Sequence, residues 1–267
     1  KGLLAGPYDH RTALDEVTQM MGGLAYMTGP PGQPLRAGTS VIDVTGGMFG
    51  AMAILAALNE RHTSGKGKRV TAALYETTAF LVGQHMAQMA VTGTPAAPMP
   101  ARVSSWAIYQ LFDTKDGEQV VVGVVSDGQW KILCEAFGLA HLLEDPDLAE
   151  NRERVIHKDK FLPQIVDKFK SMTKADLMEK IEHLGLPFAP IGKPEELFDD
   201  PHLNAGGGLL NMEMEDGVPT KLPALPISYG EDRLPLRLSP PKAGEHSREI
   251  LESLGYSGEE LDGLIKG

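Results

Sequence analysis

Two aspartates stand apart in a chain whose other acids are mostly explained by solvated faces. Asp15 lies between Leu14 and Val17 at the head of a helical pattern, with Gly22-Gly23 about two turns behind it. Asp43 follows Val41-Ile42 at the head of the most apolar stretch of the chain. One reading of each is a helix N-cap, which Asp favours and which contributes ~1 kcal/mol. The other is chemical. The positive end of a helix favours a charged carboxylate. A charged carboxylate facing a glycine-lined cleft can attack an electrophile, the glycines making room for a large substrate. Residue types alone leave both readings open.

Other chemistries lack carriers. The sequence has no glycine-rich phosphate loop of either common kind, and Gly65-Lys66-Gly67-Lys68 reads as a solvated basic turn. No paired histidines or cysteines stand at metal-ligand spacing, so no metal is expected. The single cysteine, Cys134, sits among Ile132, Leu133 and Phe137 and reads as core rather than nucleophile. One cysteine closes no intrachain disulfide, which fits a reducing, cytoplasmic setting. The formal net charge of -11 excludes a general nucleic-acid binder but leaves room for a local basic pocket.

The elements that must position these residues follow from periodicity. The 267 residues, 42% of them hydrophobic, suit one large domain or two smaller ones. Leu14 to Met27 has apolar residues spaced by three and four and predicts a helix interrupted at Gly22-Gly23. Val41 to Arg61 predicts a second helix. Its run to Leu58 is apolar on nearly every face, and Asp43, Thr45 and the glycines in it argue for a buried core helix rather than a membrane span. Val70 to Leu74 predicts a strand feeding a third helix, Glu76 to Val91. A proline-rich linker follows. Strand-like runs at 107–112 and 119–125 flank Thr114-Lys115-Asp116-Gly117, a hairpin signal. Helices are expected at 127–137, 159–171 and 174–184, with 147–154 ambiguous. Short strands are expected after Pro201, and helices at 245–254 and 257–265.

These residues carry a resemblance. Gly6-Pro7-Tyr8, Asp15 to Leu24, Thr28-Gly29, Ile42 to Met48, Ala56 to Leu58 and Arg61 to Gly67 are similar, in order, to the core motifs of family III CoA-transferases. That group includes the formyl-CoA, carnitine and bile-acid CoA-transferases. The likeness continues through Tyr109 to Gly117, Pro187 to Ile191, Asp200-Pro201, Gly244-Glu245-His246 and Leu254-Gly255-Tyr256. Each piece is weak; the ordered set is specific.

The resemblance implies an α/β fold lacking its amino-terminal part. Residues 1–91 would belong to a Rossmann-like CoA-binding domain and 92–105 would be linker. Residues 106–200 would form a small α+β domain, and 201–267 would return to pack helices on the large domain. It implies that Asp15 is the nucleophile and that Met48 lines the CoA pocket, although Met48 also reads as core. No bound cofactor is implied; the CoA thioester is substrate. Backbone N–H groups near Gly22-Gly23 or at a helix N-terminus would steady developing oxyanion charge. The family's glycine flap is replaced by Met99 to Trp106, without glycine, so formyl specificity is not implied; Arg102, Ser104 and Ser105 there are candidates for an acceptor carboxylate or an ordinary polar loop. An interlocked homodimer is expected. The family's upstream segment, which carries most CoA contacts, is expected to be missing or separate. Two alternatives remain. One is an acyl-CoA racemase using Asp15 as acid/base, which the absence of Glu from 124–130 disfavours. The other is an inactive piece that scaffolds a partner chain.

Overall fold

The computed structural model describes residues 1–102, 104–214 and 216–266. The chain divides into two units, Lys1–Ser105 and Trp106–Gly267. In the first, α1 (Asp15–Met21) and α2 (Leu24–Thr28) are separated at Gly22-Gly23, where Gly23 takes φ +86°. Gly22 is required for a different reason: a Cβ there would stand 2.4 Å from Thr78 Cγ2. The unit continues with α3 (Val41–Ser64), α4 (Leu74–Leu81) and α5 (Gly83–Thr92). The third expected helix is thus two, broken at Val82-Gly83. The expected strand at 70–74 does not form as such; the Leu74 and Tyr75 N–H groups donate to the Lys1 and Gly2 carbonyls. Among the described residues this unit contains no strand.

The long helix corrects one expectation. Only Ile42 and Gly46 of α3 are buried, and Val44, Met52, Ile54 and Leu55 are exposed. Its apolar window has a mean hydropathy of 1.9 and is 11% buried, and by length and composition alone it could cross a membrane. Hydrophobicity predicted the helix correctly but not its cover: within this chain the neighbours reach one narrow side. Gly46 there lets Leu74 of α4 approach to 3.1 Å of where a Cβ would be.

The second unit carries a filled core. β1 (Ile108–Asp113) and β2 (Gln119–Val124) pair antiparallel from Ile108 opposite Val124 to Asp113 opposite Gln119, and β3 (Phe188–Pro190) adds antiparallel to β2. Their inward residues Phe112, Val120 and Val122 meet helices α6 (Asp127–Ala136), α8 (Lys158–Lys170) and α9 (Lys174–His183) through Leu133, Phe161, Phe169 and Leu177. Between them, the ambiguous stretch forms a 3-10 turn at Pro146–Leu148 and α7 (Asn151–Ile156). In the hairpin turn, Asp116 accepts from Thr114 Oγ1 at 2.5 Å and from the Lys174 N–H, at the start of α9, at 3.1 Å. These bonds, the Thr114 hydroxyl first, hold its carboxyl below the usual range. Cys134 is fully buried, and burial pushes its thiol up to about 12.

Beyond lie α10 (Pro201–Ala205), the pairs β4 (Leu209–Glu213) with β5 (Pro219–Pro223) and β6 (Ser228–Tyr229) with β7 (Asp232–Arg233), and then α11 (Ser247–Ser253) and α12 (Gly258–Lys266). These elements lie within the second unit, with Arg248 of α11 bonded to Asp262 of α12 at 2.7 Å.

Candidate functional site

Asp15 is the first residue of α1, and its N-cap is Leu14, which makes no side-chain cap. The carboxylate therefore does not cap its own helix. It reaches across to α3, where Oδ1 accepts from the Ile42 N–H at 2.8 Å. Ile42 is the second residue of α3. Its N–H is one of the donors that a helix start leaves without an intrahelical partner. Asp15 thus satisfies the start of a helix 27 residues downstream. Asp43 lies in that helix's first turn, exposed, with Ser40 as the N-cap residue. It complements the helix dipole and does nothing more visible.

The other oxygen of Asp15 is held harder. Oδ2 accepts from Gln19 Nε2 at 2.7 Å and from Arg36 Nη2 at 3.3 Å. Gln19 is fully buried, one turn along α1, and its Oε1 accepts the Ala37 N–H at 2.9 Å. Arg36 also donates from Nε to the Ala37 carbonyl at 3.3 Å and faces Glu16 at 3.5 Å. The loop that presents Arg36 is pinned by the Leu35 N–H on the Ala25 carbonyl at 3.0 Å. The Asp15 side chain keeps 8% of its surface exposed and that of Arg36 39%. Sequence reasoning did not single out Gln19 or Arg36. Gln19 was within reach of it, since Asp15 and Gln19 stand four apart on one helical face. Arg36 was not, because a loop residue 21 positions away carries no periodic signal.

The expected glycine-lined cleft is not at Asp15. Gly22 and Gly23 end α1, about 10 Å along the axis at ~1.5 Å per residue, and the Gly22 N–H donates to the Thr18 carbonyl. These backbone groups are not donors to the Asp15 carboxylate. Instead the two glycines line an apolar cavity of about 590 Å³ with Tyr26, Tyr75, Met86 and Met89. Through His85, Pro95 and Ala96 it adjoins a more polar hollow of about 440 Å³ that Arg102 and Ser105 line. The fold therefore brings Gly22, Gly23, Arg102 and Ser105 into one neighbourhood, while Asp15 lines neither cavity. Ser104 is half-buried and lines neither. Met48 is 59% exposed on α3, so it is not a core residue of this chain. Among the described residues no group of three His, Cys, Asp or Glu could hold a metal.

The family model described as CoA-transferase family III matches residues 2–247. An acyl-CoA transferase of Fusarium pseudograminearum is 32% identical over 97% of this chain and 59% of its own length. A succinate–glutarate CoA-transferase of Agrobacterium fabrum is 32% identical over 93% of this chain and 62% of its own. The crystal structure of a CAIB/BAIF family protein from Brucella suis superposes with a TM-score of 0.78 at 27% identity, covering 94% of this chain and 65% of that one. The chain thus spans about three fifths of the length of these curated relatives.

Proposed function

This chain belongs to CoA-transferase family III, and we propose that the protein moves CoA from an acyl-CoA to a free carboxylic acid with Asp15 as covalent nucleophile. The observation that supports the reading is the Asp15 carboxylate, 6% exposed and held by Ile42, Gln19 and Arg36. A carboxylate is a weak nucleophile in water; desolvation and fixed orientation make it competent. Attack on the thioester gives a mixed anhydride on Asp15 and CoA thiolate. The thiolate converts the anhydride to an aspartyl-CoA thioester and releases the donor acid; the acceptor carboxylate then attacks that thioester, giving a second mixed anhydride and thiolate, and the thiolate takes the acceptor's acyl group and frees the Asp15 carboxylate.

Succinyl-CoA is the proposed donor and a small dicarboxylate the proposed acceptor. The names of relatives, succinate–glutarate CoA-transferase and succinyl-CoA–L-malate CoA-transferase among them, support this. The reading includes a homodimer in a reducing, cytoplasmic setting. The exposed apolar surface of α3 supports a partner, and the free Cys134 supports the compartment. The test is mass spectrometry of the protein after mixing with succinyl-CoA and hydroxylamine. A hydroxamate on Asp15, with glutaryl-CoA formed when glutarate is supplied, is expected. An Asp15→Ala protein that still exchanges CoA would end the reading. So would deuterium wash-in at the acyl α-carbon without exchange, which would select a racemase.

A further inference from the structure

We infer that the apolar cavity beside Gly22-Gly23 and the hollow next to it form one binding site for a monocarboxylic acid with a bulky apolar body, aryl or branched alkyl. Both hollows lie within the first unit. The site does not depend on Asp15, which lines neither of them.

The apolar part is built where four helices meet. Gly22 sets the end of α1 directly on α4, since a Cβ there would stand 2.4 Å from Thr78 Cγ2. Gly23, at φ +86°, leaves open space beside it: a Cβ there would meet nothing within 4 Å. Tyr26 of α2 and Tyr75 of α4 bring flat rings to the cavity, and Met86 and Met89 of α5 bring flexible thioethers. Such a lining holds an apolar body without dictating its outline. The volume of about 590 Å³ lies inside the range of roughly 300–1,000 Å³ found for small-molecule sites. The α5 wall is open, with Met86 62% and Met89 47% exposed. A guest laid against it covers apolar side chains that this chain leaves in water.

Charge sets the other end. The chain has 36 Asp and Glu against 25 Lys and Arg, yet no Asp or Glu lines either hollow. The one Lys or Arg that lines either is Arg102. No ion pair among the described residues uses it. A guanidinium without an acid of its own can hold a ligand's carboxylate through two parallel N–H···O bonds. His85 lines both hollows and stands between the two ends of the guest.

The same arrangement disfavours a dicarboxylate. With one carboxylate on Arg102, the other would enter the apolar cavity, where no Lys or Arg lines the wall, and would give up its water without a partner. A short diacid kept wholly in the polar hollow gains nothing from the apolar one. An uncharged amide of the same body loses the attraction to Arg102. One cation beside one apolar cavity therefore selects one charge and one apolar body, a different ligand class from the succinate and glutarate of the proposed exchange.

The test is isothermal titration calorimetry of the protein with 4-phenylbutyrate, 4-phenylbutanamide and glutarate. 4-Phenylbutyrate is expected to bind, and the other two about 10-fold or more weakly, the loss expected for one charge-assisted hydrogen bond. Arg102→Met is expected to weaken 4-phenylbutyrate about 10-fold and to leave the amide unchanged. Met86→Glu, which puts a charge on the apolar wall, is expected to weaken both. The two positions are exposed, so both variants should melt with the wild type. Glutarate binding as tightly as 4-phenylbutyrate, or Arg102→Met leaving 4-phenylbutyrate unchanged, overturns the proposal. So does a failure of 4-phenylbutyrate to bind; if Met86→Glu then also weakens self-association in sedimentation, a second copy of the chain covers the cavity instead.

Discussion

Asp15 has one observed role and one proposed role, and a substitution can separate them. Its Oδ1 anchors the start of α3 through the Ile42 N–H, and the same carboxylate is the proposed nucleophile. Asp15→Asn keeps an oxygen for Ile42 but turns an N–H₂ group toward the donors Gln19 and Arg36. It is expected to abolish exchange. Asp15→Ala also removes the acceptor for Ile42 and leaves the Gln19 amide buried without its partner. It is expected to abolish exchange and to cost roughly 1–3 kcal/mol of stability, read as a lower urea midpoint. A stability loss without an activity loss would make Asp15 a capping residue alone. The place of this aspartate at the head of a helix was legible in the sequence. Its role toward another helix was not, since a bond spanning 27 residues leaves no local pattern.

Between the residue and the whole stands the loop that delivers Arg36, and one glycine decides its path. A Cβ on Gly29 would lie 1.9 Å from the Gln33 carbonyl oxygen and 2.8 Å from the Leu35 nitrogen. Both are backbone atoms with nowhere to go, so Gly29→Ala must push the loop off α2 and strip the Leu35–Ala25 bond. Overpacking of this kind costs ~1–3 kcal/mol. It should also take exchange down further than the lost folded fraction accounts for, because Arg36 moves with the loop. Gly47→Ala on α3 is the contrast. It meets nothing within 4 Å and should stabilise by about 0.5–1 kcal/mol. Thermal melts of the two variants, with opposite signs expected, check the argument. Elements with their own core were read well from sequence: the hairpin at Asp116-Gly117 and the helices at 127–136, 158–170 and 174–183 lie within a residue or so of expectation. Where periodicity had to say what an element packs against, it failed. The apolar run at 70–74 paired with the chain's first residues rather than a sheet, and α3 stood uncovered.

At the scale of the molecule the two units differ in how well they close on themselves. The second packs Trp130, Phe161, Phe169, Leu177 and their neighbours into one dry cluster. The first exposes Val44, Met48, Met52, Ile54 and Leu55 along a single 24-residue helix. Contiguous apolar surface on a folded protein marks an interaction site or an aggregation hazard. Each of those side chains, little more than half exposed, would gain roughly 1–2 kcal/mol from full cover. The proposed homodimer would set that surface against a second copy of the chain. The 267-residue chain on its own is therefore expected to bind an apolar-surface dye and to associate with rising concentration in sedimentation. Met52→Glu with Leu55→Glu, two charges one helical turn apart on the exposed side, should abolish both while leaving the melt of the 106–200 core unmoved. A dye-silent, concentration-independent monomer of the 267-residue chain would mean that α3 finds its cover within these residues, and the case for a partner on that helix would fall.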